Sequence, residues 1–296
     1  MQEKNMKKLK MGLPKGTLQK ATFEIFAKAG IKIYSNDARA YKPSSNDDEL
    51  DITLFRAQEI PGYVEQGVLD CGISGYDWIC ESSAVVKEIC ELMYAKSGFS
   101  PVRWVLAVPE NSGIKSAKGL VNKRVATEIV NVAKKYLRKK GVKAEVEFSW
   151  GATEVKVPDF VDAIIELTET GNSLRANKLK IIDEVLVSTT RFFANPAAYR
   201  NPWKMEKMDS IAILLEGALA AQNMVGLKMN CREKDIKKII NILPAMKKPT
   251  ISKLSLRDWV ALEVVLEENE VKKIIPELKR AGAEGIIEYP LNKVIP

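Results

Sequence analysis

The stretch IIELTETGNSLRAN, residues 164–177, decides the fold class. The stretch begins with Ile164, Ile165, Glu166 and Leu167, which are mainly apolar. A turn of small polar residues around Gly171 follows at once. A short strand that leads into a glycine turn is typical of α/β proteins. The backbone N–H groups of such a turn can bind an anion. An ordinary turn into a helix, with Ser173 as the N-cap, is the alternative.

The length and composition indicate a soluble protein of several domains. The chain has 296 residues, of which 46% are apolar and 28% are charged. No apolar run is long enough to span a membrane, and no apolar signal core follows the charged N-terminal residues. We therefore expect a cytoplasmic protein with no membrane partner.

Histidine is absent from the sequence. This excludes nucleophilic sites of the Ser-His-Asp and Cys-His types and histidine-rich metal sites. Any catalysis would use carboxylates, lysine, arginine, tyrosine or hydroxyl groups, or would depend on positioning and charge. The four cysteines form no CxxC pair, so they predict neither a disulfide framework nor a zinc site.

The formal net charge is +8. Nucleic acid, small polyanionic ligands and simple solubility are the three interpretations. Basic clusters at 134–143 and 232–238 fall on predicted helices, where a solvated face accounts for them. No nucleic-acid motif with interleaved aromatic residues is present. We expect no nucleic-acid partner.

Short strands alternate with amphipathic helices twice along residues 8–195. The pattern restarts near residue 101, and residues 183–195 read as a strand that returns towards the first part. This predicts two α/β lobes with a cleft between them, an arrangement like that of periplasmic binding proteins. Lobe I would comprise residues 1–100 and 190–220, and lobe II residues 101–189.

The C-terminal part has a different pattern. Residues 224–295 read as β-α-β-β-α-β, the order of a ferredoxin-like module. We place this domain at residues 221–296, joined to the lobes through the apolar segment 207–222. Pro276 lies inside the last predicted helix, so we expect a kink or a late helix start there.

Polar residues and glycines lie at predicted strand ends, where open α/β sheets bind ligands. Lys15 stands in a PKG turn before a helix and could contact a phosphate, and Arg56 ends the strand DITLFR. The segment 70–75 begins with Asp70 and contains Gly72 and Gly75, which allow a ligand to approach the backbone. Ordinary tight turns are the alternative for the two glycine segments.

Asp162 and Glu166 are spaced i,i+4 before the turn. If this segment is a helix, the two carboxylates share one face. They could then accept hydrogen bonds from sugar hydroxyls while the turn binds a phosphate. Carboxylates beside a phosphate also suit a site where Mg²⁺ offsets the repulsion. A solvated helix face is the alternative.

Five stretches, in this order, resemble the ATP phosphoribosyltransferase family. They are MGLPKGTL (11–18), ITLFRAQEIPGYVEQGVLDCGISG (52–75), NKRVATE (122–128), GATEVKVPDFVDAIIELTETGNSLRAN (151–177) and KKPTISKL (247–254). The resemblance covers essentially the whole chain, and residues 162–177 are its most specific part. The C-terminal module resembles the regulatory domain of the long form, an ACT-like fold that binds histidine.

The resemblance implies the first reaction of histidine biosynthesis. N1 of the adenine of ATP would attack C1 of 5-phosphoribosyl 1-pyrophosphate, giving phosphoribosyl-ATP and pyrophosphate. It also implies Mg²⁺ bound to the leaving group, feedback inhibition by histidine, and a homo-oligomer, either a dimer or a hexamer. It implies no metal ligand from the protein itself.

The resemblance also implies residue roles. The 5-phosphate would be bound by Thr168, Thr170, Gly171, Asn172, Ser173 and Leu174. The ribose hydroxyls would be bound by Asp162 and Glu166, and the pyrophosphate or the ATP phosphates by Lys15, Gly16 and Arg56; of these, the four charged residues would be catalytic. The nucleotide pocket would include Asp70, Gly72, Gly75 and Glu154. Histidine would be bound near Thr250, Ser252, Leu254, Ala281 and Gly282.

Two points stay open at this stage. The family often has KGRL where this chain has KGTL at 15–18, which puts that turn's share of phosphate binding in doubt. A non-catalytic ligand sensor is a second hypothesis, because solute-binding proteins and regulator domains also have two lobes. The lack of a signal peptide disfavours an exported binding protein, and the lack of a DNA-binding helix pair disfavours a repressor.

Overall fold

The computed structural model describes residues 7–35, 37, 40–94, 101–244 and 249–295. The chain divides into two units, Met1–Ala212 and Ile213–Pro296. The division falls inside one continuous helix, Pro202–Ala220, whereas the sequence predicted a boundary between 220 and 221.

Short strands and helices alternate along the first unit, in the α/β pattern that the sequence predicted. Its strands are β1 (Leu9–Lys15), β2 (Ile33–Tyr34), β3 (Ser44–Ser45), β4 (Leu50–Arg56), β5 (Cys71–Gly75), β6 (Lys87–Leu92), β7 (Val102–Pro109), β8 (Arg124–Thr127), β9 (Glu145–Phe148), β10 (Ala163–Thr168), β11 (Leu179–Ser188) and β12 (Thr190–Ala194). Its helices are α1 (Gln19–Ala29), α2 (Ile60–Glu65), α3 (Tyr76–Ser82), α4 (Val130–Lys139), α5 (Asn172–Ala176) and α6 (Pro196–Tyr199), followed by α7 (Pro202–Ala220), which ends in the second unit. Ala117–Leu120 and Thr153–Lys156 are 3₁₀ turns.

The first sheet has the strand order β4-β1-β5-β12-β6. β1 is parallel to both β4 and β5, and β12 returns antiparallel to β5 and β6. Leu9, Met11 and Leu13 of β1 are fully buried, as expected for a central parallel strand covered on both faces. The parallel strands therefore end together, with their carboxyl ends at one edge of the sheet.

Two paired glycines allow α2 to pack closely on this sheet. Gly12 of β1 and Gly72 of β5 are register partners, and the side chain of Ile60 lies against both. A Cβ atom added at Gly72 would stand 2.4 Å from Cγ2 of Ile60. Gly72 is therefore required by packing in the core.

The second sheet has the order β11-β7-β10-β8-β9. β8, β9 and β10 are parallel to one another, and β7 runs antiparallel between β10 and β11. The buried face of α4, with Val132, Ala133 and Leu137, packs in the same core as Trp104 and Leu106 of β7. The carboxyl ends of the three parallel strands lie at the same edge as the amino end of β7.

The predicted strand over residues 183–195 is two strands in different sheets. β11 ends at Ser188 in the second sheet, and β12 begins at Thr190 in the first. The backbone N–H of Tyr76 donates to the carbonyl of Thr189 at 2.9 Å. The chain therefore passes between the sheets at residue 189, and the predicted lobe limits near 100 and 189 fall between strands of different sheets.

The second unit contains the predicted β-α-β-β-α-β order, which is confirmed. Its elements are β13 (Met224–Arg232), α8 (Ile236–Ile242), β14 (Thr250–Lys253), β15 (Trp259–Glu267), α9 (Glu268–Arg280) and β16 (Glu284–Pro290), with a 3₁₀ turn at Glu233–Asp235. The antiparallel sheet has the order β14-β15-β13-β16. The expectation of a late helix start near Pro276 is wrong, because α9 already begins at Glu268. Val271, Ile274 and Leu278 anchor α9 in the core on both sides of the proline.

Among the described residues, no helix has the length and apolar character needed to cross a bilayer.

We predict that Gly72→Ala lowers the free energy of unfolding by about 1–3 kcal/mol, because the added methyl group overpacks the contact with Ile60. Gly62→Ala is the matched control, since Gly62 lies in α2 with no atom within 4 Å of an added Cβ. That change should instead stabilise the chain by about 0.5–1 kcal/mol. Denaturant unfolding measures both, and equal stability of the two variants would contradict the packing argument.

Candidate active site

A cleft of about 960 Å³ in the first unit is lined by residues of both sheets. Lys15 and Arg56 come from the carboxyl ends of β1 and β4 in the first sheet. Glu166 and Glu169 come from the end of β10 in the second sheet, and Glu128 follows β8 there. Among the described residues, both basic residues of the cleft therefore belong to the first sheet. The acidic residues come from both sheets, since Glu59 and Asp77 follow strands of the first one.

The basic side of the cleft results from strand register. Lys15 and Arg56 are direct partners in the parallel pair of β1 and β4, so their Cα atoms lie about 4.8 Å apart. Lys15 Nζ donates to the carbonyl of Ala40 at 3.3 Å and lies 3.7 Å from the ring centroid of Tyr41. Gly16 follows with a φ of +96°, which permits the tight turn into α1. Lys15, Gly16 and Arg56 therefore lie together at the edge of the cleft, and their predicted role stays a prediction.

Asp77 lies where the two sheets meet and is only 4% exposed. Its carboxylate accepts a hydrogen bond from Trp104 Nε1 at 2.7 Å, and its backbone N–H donates to Ser188 Oγ at 3.0 Å. Burial raises the pKa of Asp77, while the hydrogen bond from Trp104 lowers it. A Cβ atom on Gly75 would stand 2.1 Å from Asp77 Oδ1, so Gly75 leaves the room that this carboxylate occupies.

Glu166 is a partly buried carboxylate on the acidic side of the cleft. Burial raises the pKa of Glu166, and hydrogen bonds from the hydroxyl of Thr153 and the N–H of Leu167 oppose that rise. The carboxylates of Glu154 and Glu128 raise the pKa further. Glu166 can therefore accept hydrogen bonds, and it lies among several other carboxylates of the cleft.

The loop at residues 168–174, for which the resemblance implies phosphate binding and which we call the phosphate loop, is stabilised by its own side chains. Of its residues, Glu169 lines the cleft. The Thr168 hydroxyl accepts a hydrogen bond from the N–H of Gly171 at 2.7 Å. Arg175 donates to the carbonyl of Thr170 at 3.0 Å and to Oδ1 of Asn172 at 2.5 Å. Gly171 has a φ of +76°, a conformation that favours glycine. The loop is therefore held in a defined shape.

Two further contacts fix the end of the phosphate loop. Leu174 is 1% exposed and anchors the loop in the core of the second sheet. Ser173 Oγ donates to Oε1 of Glu154 at 2.5 Å. Glu154 was predicted for the nucleotide pocket, but in the structure its carboxylate contacts the phosphate loop.

The predicted pairing of Asp162 and Glu166 on one helix face is wrong, because residues 163–168 form strand β10. Asp162 precedes this strand, and four residues of strand separate it from Glu166 by about 13 Å. Its carboxylate accepts hydrogen bonds from Lys123 Nζ at 3.0 Å and the N–H of Arg124 at 2.9 Å. These contacts lower the pKa of Asp162. The structure does not bring Asp162 to the cleft.

Asp70 and Gly72 also lie away from the cleft, whereas Gly75 lines it. Asp70 precedes β5, at the end of the sheet opposite to Lys15. It is 7% exposed and accepts hydrogen bonds from Lys204 Nζ at 2.6 Å and the N–H of Lys10 at 3.0 Å. The two residues stabilise the core of the first sheet.

Sequence reasoning missed several residues that line the cleft. They are Asp77, Glu128, Trp78, Trp104 and Tyr94. The signal for Glu128 was available, because it is the polar residue directly after a buried strand, at the end where ligands bind. The aromatic residues carried no such signal, since an aromatic residue in or beside a helix or strand is ordinarily part of the core.

The candidate histidine-binding residues lie at opposite edges of the sheet of the second unit. Thr250 and Ser252 belong to edge strand β14, and Leu254 follows it. Ala281 and Gly282 follow α9 and precede β16, the other edge strand. Three strand spacings separate these edges by about 14 Å. Within one chain, the two groups do not converge.

Comparisons with known proteins agree with this architecture. A family model described as ATP phosphoribosyltransferase matches residues 56–217, and one described as HisG, C-terminal domain, matches residues 221–293. An ATP phosphoribosyltransferase from Chlorobium phaeobacteroides is 57% identical over 97% of each chain. One from Thermodesulfovibrio yellowstonii is 55% identical over 98% of this chain and 99% of its own.

A solved structure gives the same result for the fold. The ATP phosphoribosyl transferase (HisG:HisZ) complex from Thermotoga maritima contains a chain that matches with a TM-score of 0.60 and 28% identity. The match covers 70% of this chain and 96% of that one. A substrate binding protein of an amino acid ABC transporter also aligns over 70% of this chain and 91% of its own, at a TM-score of 0.46 and 16% identity. The matches at high identity over nearly the full length show that this chain belongs to the ATP phosphoribosyltransferase family of enzymes.

Proposed function

We propose that this chain catalyses the transfer of a phosphoribosyl group from 5-phosphoribosyl 1-pyrophosphate to N1 of ATP, the first step of histidine biosynthesis. One observation carries the proposal: a single cleft has a basic pair, Lys15 and Arg56, on one sheet and the carboxylates of Glu166 and Glu169 on the other. Glu169 is the residue through which the loop at 168–174 reaches the cleft. Membership of the family supports the choice of substrates.

The phosphate loop binds the 5-phosphate of the sugar substrate in this proposal. Thr170 and Ser173 are exposed hydroxyl residues on a loop that Arg175 and Leu174 already hold in shape. A preformed loop loses little conformational entropy when it binds. Glu166, on the strand that leads into the loop, accepts hydrogen bonds from the ribose hydroxyls. Asp162 has no part in this step.

The pyrophosphate departs towards the basic side of the cleft. Lys15 and Arg56 stand next to each other, and two adjacent cations stabilise the negative charge that builds up as the bond to C1 breaks. Thr17 also lines the cleft and keeps a hydroxyl donor where the family often has arginine. Catalysis by aligned reactants and fixed charges needs no histidine, in keeping with the composition.

We propose that Mg²⁺ enters with the substrate. Within the described ranges, no group of three or more cysteine, aspartate or glutamate residues is arranged to hold a metal ion. Mg²⁺ in enzymes of phosphorylated substrates is bound mainly by phosphate oxygens and water, with one or two carboxylates. Glu166 and Glu169 are hard oxygen donors of that type in the cleft. The ion would neutralise charge on the pyrophosphate.

A turnover assay tests the proposal. Purified protein with ATP, 5-phosphoribosyl 1-pyrophosphate and Mg²⁺ should release pyrophosphate and form phosphoribosyl-ATP in equal amounts, and excess EDTA should stop both. Calorimetry with each substrate distinguishes the alternative, a ligand sensor. If both substrates bind and no product forms at any Mg²⁺ concentration, the result would favour the ligand sensor and contradict the proposed catalytic activity.

Thr170→Val should raise the KM for 5-phosphoribosyl 1-pyrophosphate by about 10- to 100-fold, because a charge-assisted hydrogen bond contributes about 1.5–3 kcal/mol. Thr170→Ser keeps the hydroxyl group and is the matched control, with a KM near that of the wild type. The KM for ATP should stay unchanged in both variants. Steady-state kinetics measure these values. An unaltered KM for the sugar substrate in Thr170→Val would contradict the proposed binding of the 5-phosphate by the loop.

We also propose that histidine inhibits the enzyme by binding the second unit as an ACT-like module. The β-α-β-β-α-β order and the match to the family's C-terminal domain support this. β14 is one edge strand of the sheet, and the turn at Ala281 and Gly282 leads into β16, the other edge strand. A histidine that contacts both groups would therefore lie between two copies of the chain. The proposed site therefore requires a homo-oligomer, a dimer or a hexamer.

Ser252→Ala should raise the histidine concentration that gives half-maximal inhibition by about 2- to 10-fold, the effect of losing one hydrogen bond of about 0.5–1.5 kcal/mol. Ser255→Ala is the matched control, since Ser255 is an exposed residue in the turn after β14. Rates are measured against histidine concentration, with the oligomeric state checked for each variant. Identical inhibition curves for the two variants would place the histidine site elsewhere.

A further inference from the structure

Glu128 is an acidic residue of the cleft for which the described part of the chain provides no basic partner. It follows β8 directly, at the carboxyl edge of the second sheet, and lines the cleft. Among the described residues, its carboxylate forms no hydrogen bond or ion pair. Burial raises the pKa of Glu128, and the neighbouring carboxylate of Asp77 raises it further. Within the described ranges, no positive charge or hydrogen-bond donor offsets the charge of this side chain.

Two carboxylates that interact electrostatically with Glu128 are already engaged. Asp77 accepts the hydrogen bond from Trp104 that fixes it between the sheets. Glu166 accepts hydrogen bonds from Thr153 and from the backbone of Leu167. Both oxygens of Glu128 remain available to a ligand.

An aromatic side chain lines the same cleft as this carboxylate. Trp78 is half-buried there and packs edge to face on the buried Trp104, with ring centroids 6.2 Å apart. A flat apolar surface and a hydrogen-bond acceptor in one cleft suit a planar heteroaromatic ring that carries an N–H donor. The 6-amino group of adenine is such a donor.

The charges of the cleft also match those of the proposed reaction. The C1–O bond breaks and pyrophosphate leaves with the electron pair, while the lone pair of adenine N1 forms the new bond to C1. The adenine ring thereby gains one positive charge, which N1 shares with the 6-amino nitrogen. An anion is produced where Lys15 and Arg56 stand, and a cation is produced on the side that carries carboxylates.

We propose that Glu128 is a further catalytic residue, whose carboxylate accepts a hydrogen bond from the 6-amino group of adenine and stabilises the positive charge that the ring gains. This inference rests on the proposed function. Transfer of one 6-amino proton to Glu128, and from there to water, returns the adenine ring to neutrality. Asp77 is a positioning residue that holds the aromatic surface beside it.

Glu128→Gln tests the charge, because glutamine keeps the size and one acceptor oxygen. The probes are ATP and purine riboside 5′-triphosphate, which keeps N1 but lacks the 6-amino group. With ATP, kcat should fall by about 10- to 100-fold, the range expected for a charge-assisted contact. With the analogue, the variant and the wild type should differ much less. Glu128→Asp, which keeps the charge, should recover part of the rate with ATP.

Glu145→Gln is the matched control. Glu145 is an exposed residue at the start of β9 in the same sheet, outside the cleft, so its kinetics should equal those of the wild type. If Glu128→Gln reduces the rates with ATP and the analogue by the same factor, or changes only the KM for the sugar substrate, the proposal is wrong. A wild-type protein that makes no phosphoribosyl-ATP would instead overturn the proposed function. Unfolding curves identify a variant that fails to fold, and Glu128→Asp then decides the question.

Discussion

The hydrogen bond between Trp104 and Asp77 is the interaction on which the cleft depends. Trp104 is 1% exposed in the second sheet, and Asp77 follows β5 of the first. A buried indole N–H needs an acceptor, and a buried carboxylate needs a donor, so each group fixes the other. Because Ser188 contacts Asp77 as well, the bond lies beside the point where the chain crosses between the sheets. The two sides of the cleft are thereby held in a fixed position relative to each other.

Within each sheet, the order of the strands brings together residues that are distant in the sequence. Parallel strands of one sheet end at the same edge, so Lys15 and Arg56 become neighbours although 40 residues of chain separate them. In the second sheet the same rule places Glu128 beside the end of β10, since β8 and β10 are parallel partners. Both cations that the structure describes in the cleft stand at the edge of the first sheet, and Glu128, Glu166 and Glu169 stand at the edge of the second, so the charge of the cleft is unevenly distributed before any ligand is present.

The sequence predicted those site residues that follow a strand. Lys15, Arg56 and Glu166 were found because each stands in the last part of an apolar run, which is a local signal. Asp70 and Asp162 were misplaced because they precede their strands, and the carboxyl edge of a sheet does not include residues on that side. Because a helix was assumed for residues 162–166, Asp162 and Glu166 were expected on one face, although they lie near opposite ends of a strand.

Other parts of the site could not be found from local sequence. The proximity of Glu128 to Asp77 depends on which strands become neighbours and on where the chain crosses between sheets, and both are long-range properties. The braces of the phosphate loop, such as the bonds from Arg175, depend on side-chain geometry that residue order does not specify. By contrast, β15 and α9 of the second unit follow from hydrophobic periodicity. β15 alternates buried and partly buried residues, and α9 buries Val271, Ile274 and Leu278 along one face.

The acidic side of the cleft has an energetic consequence. Burial raises the pKa values of Asp77, Glu128 and Glu166, so their ionised forms are disfavoured in the folded chain. A carboxyl group with a raised pKa stabilises folding at low pH, and this contribution is lost as the pH rises through the raised value. Once ionised, the three groups repel one another. A positive charge relieves that repulsion, and in the proposed reaction it develops as the new bond forms. The protein would then interact more strongly with the transition state than with neutral adenine, which is the condition for catalysis.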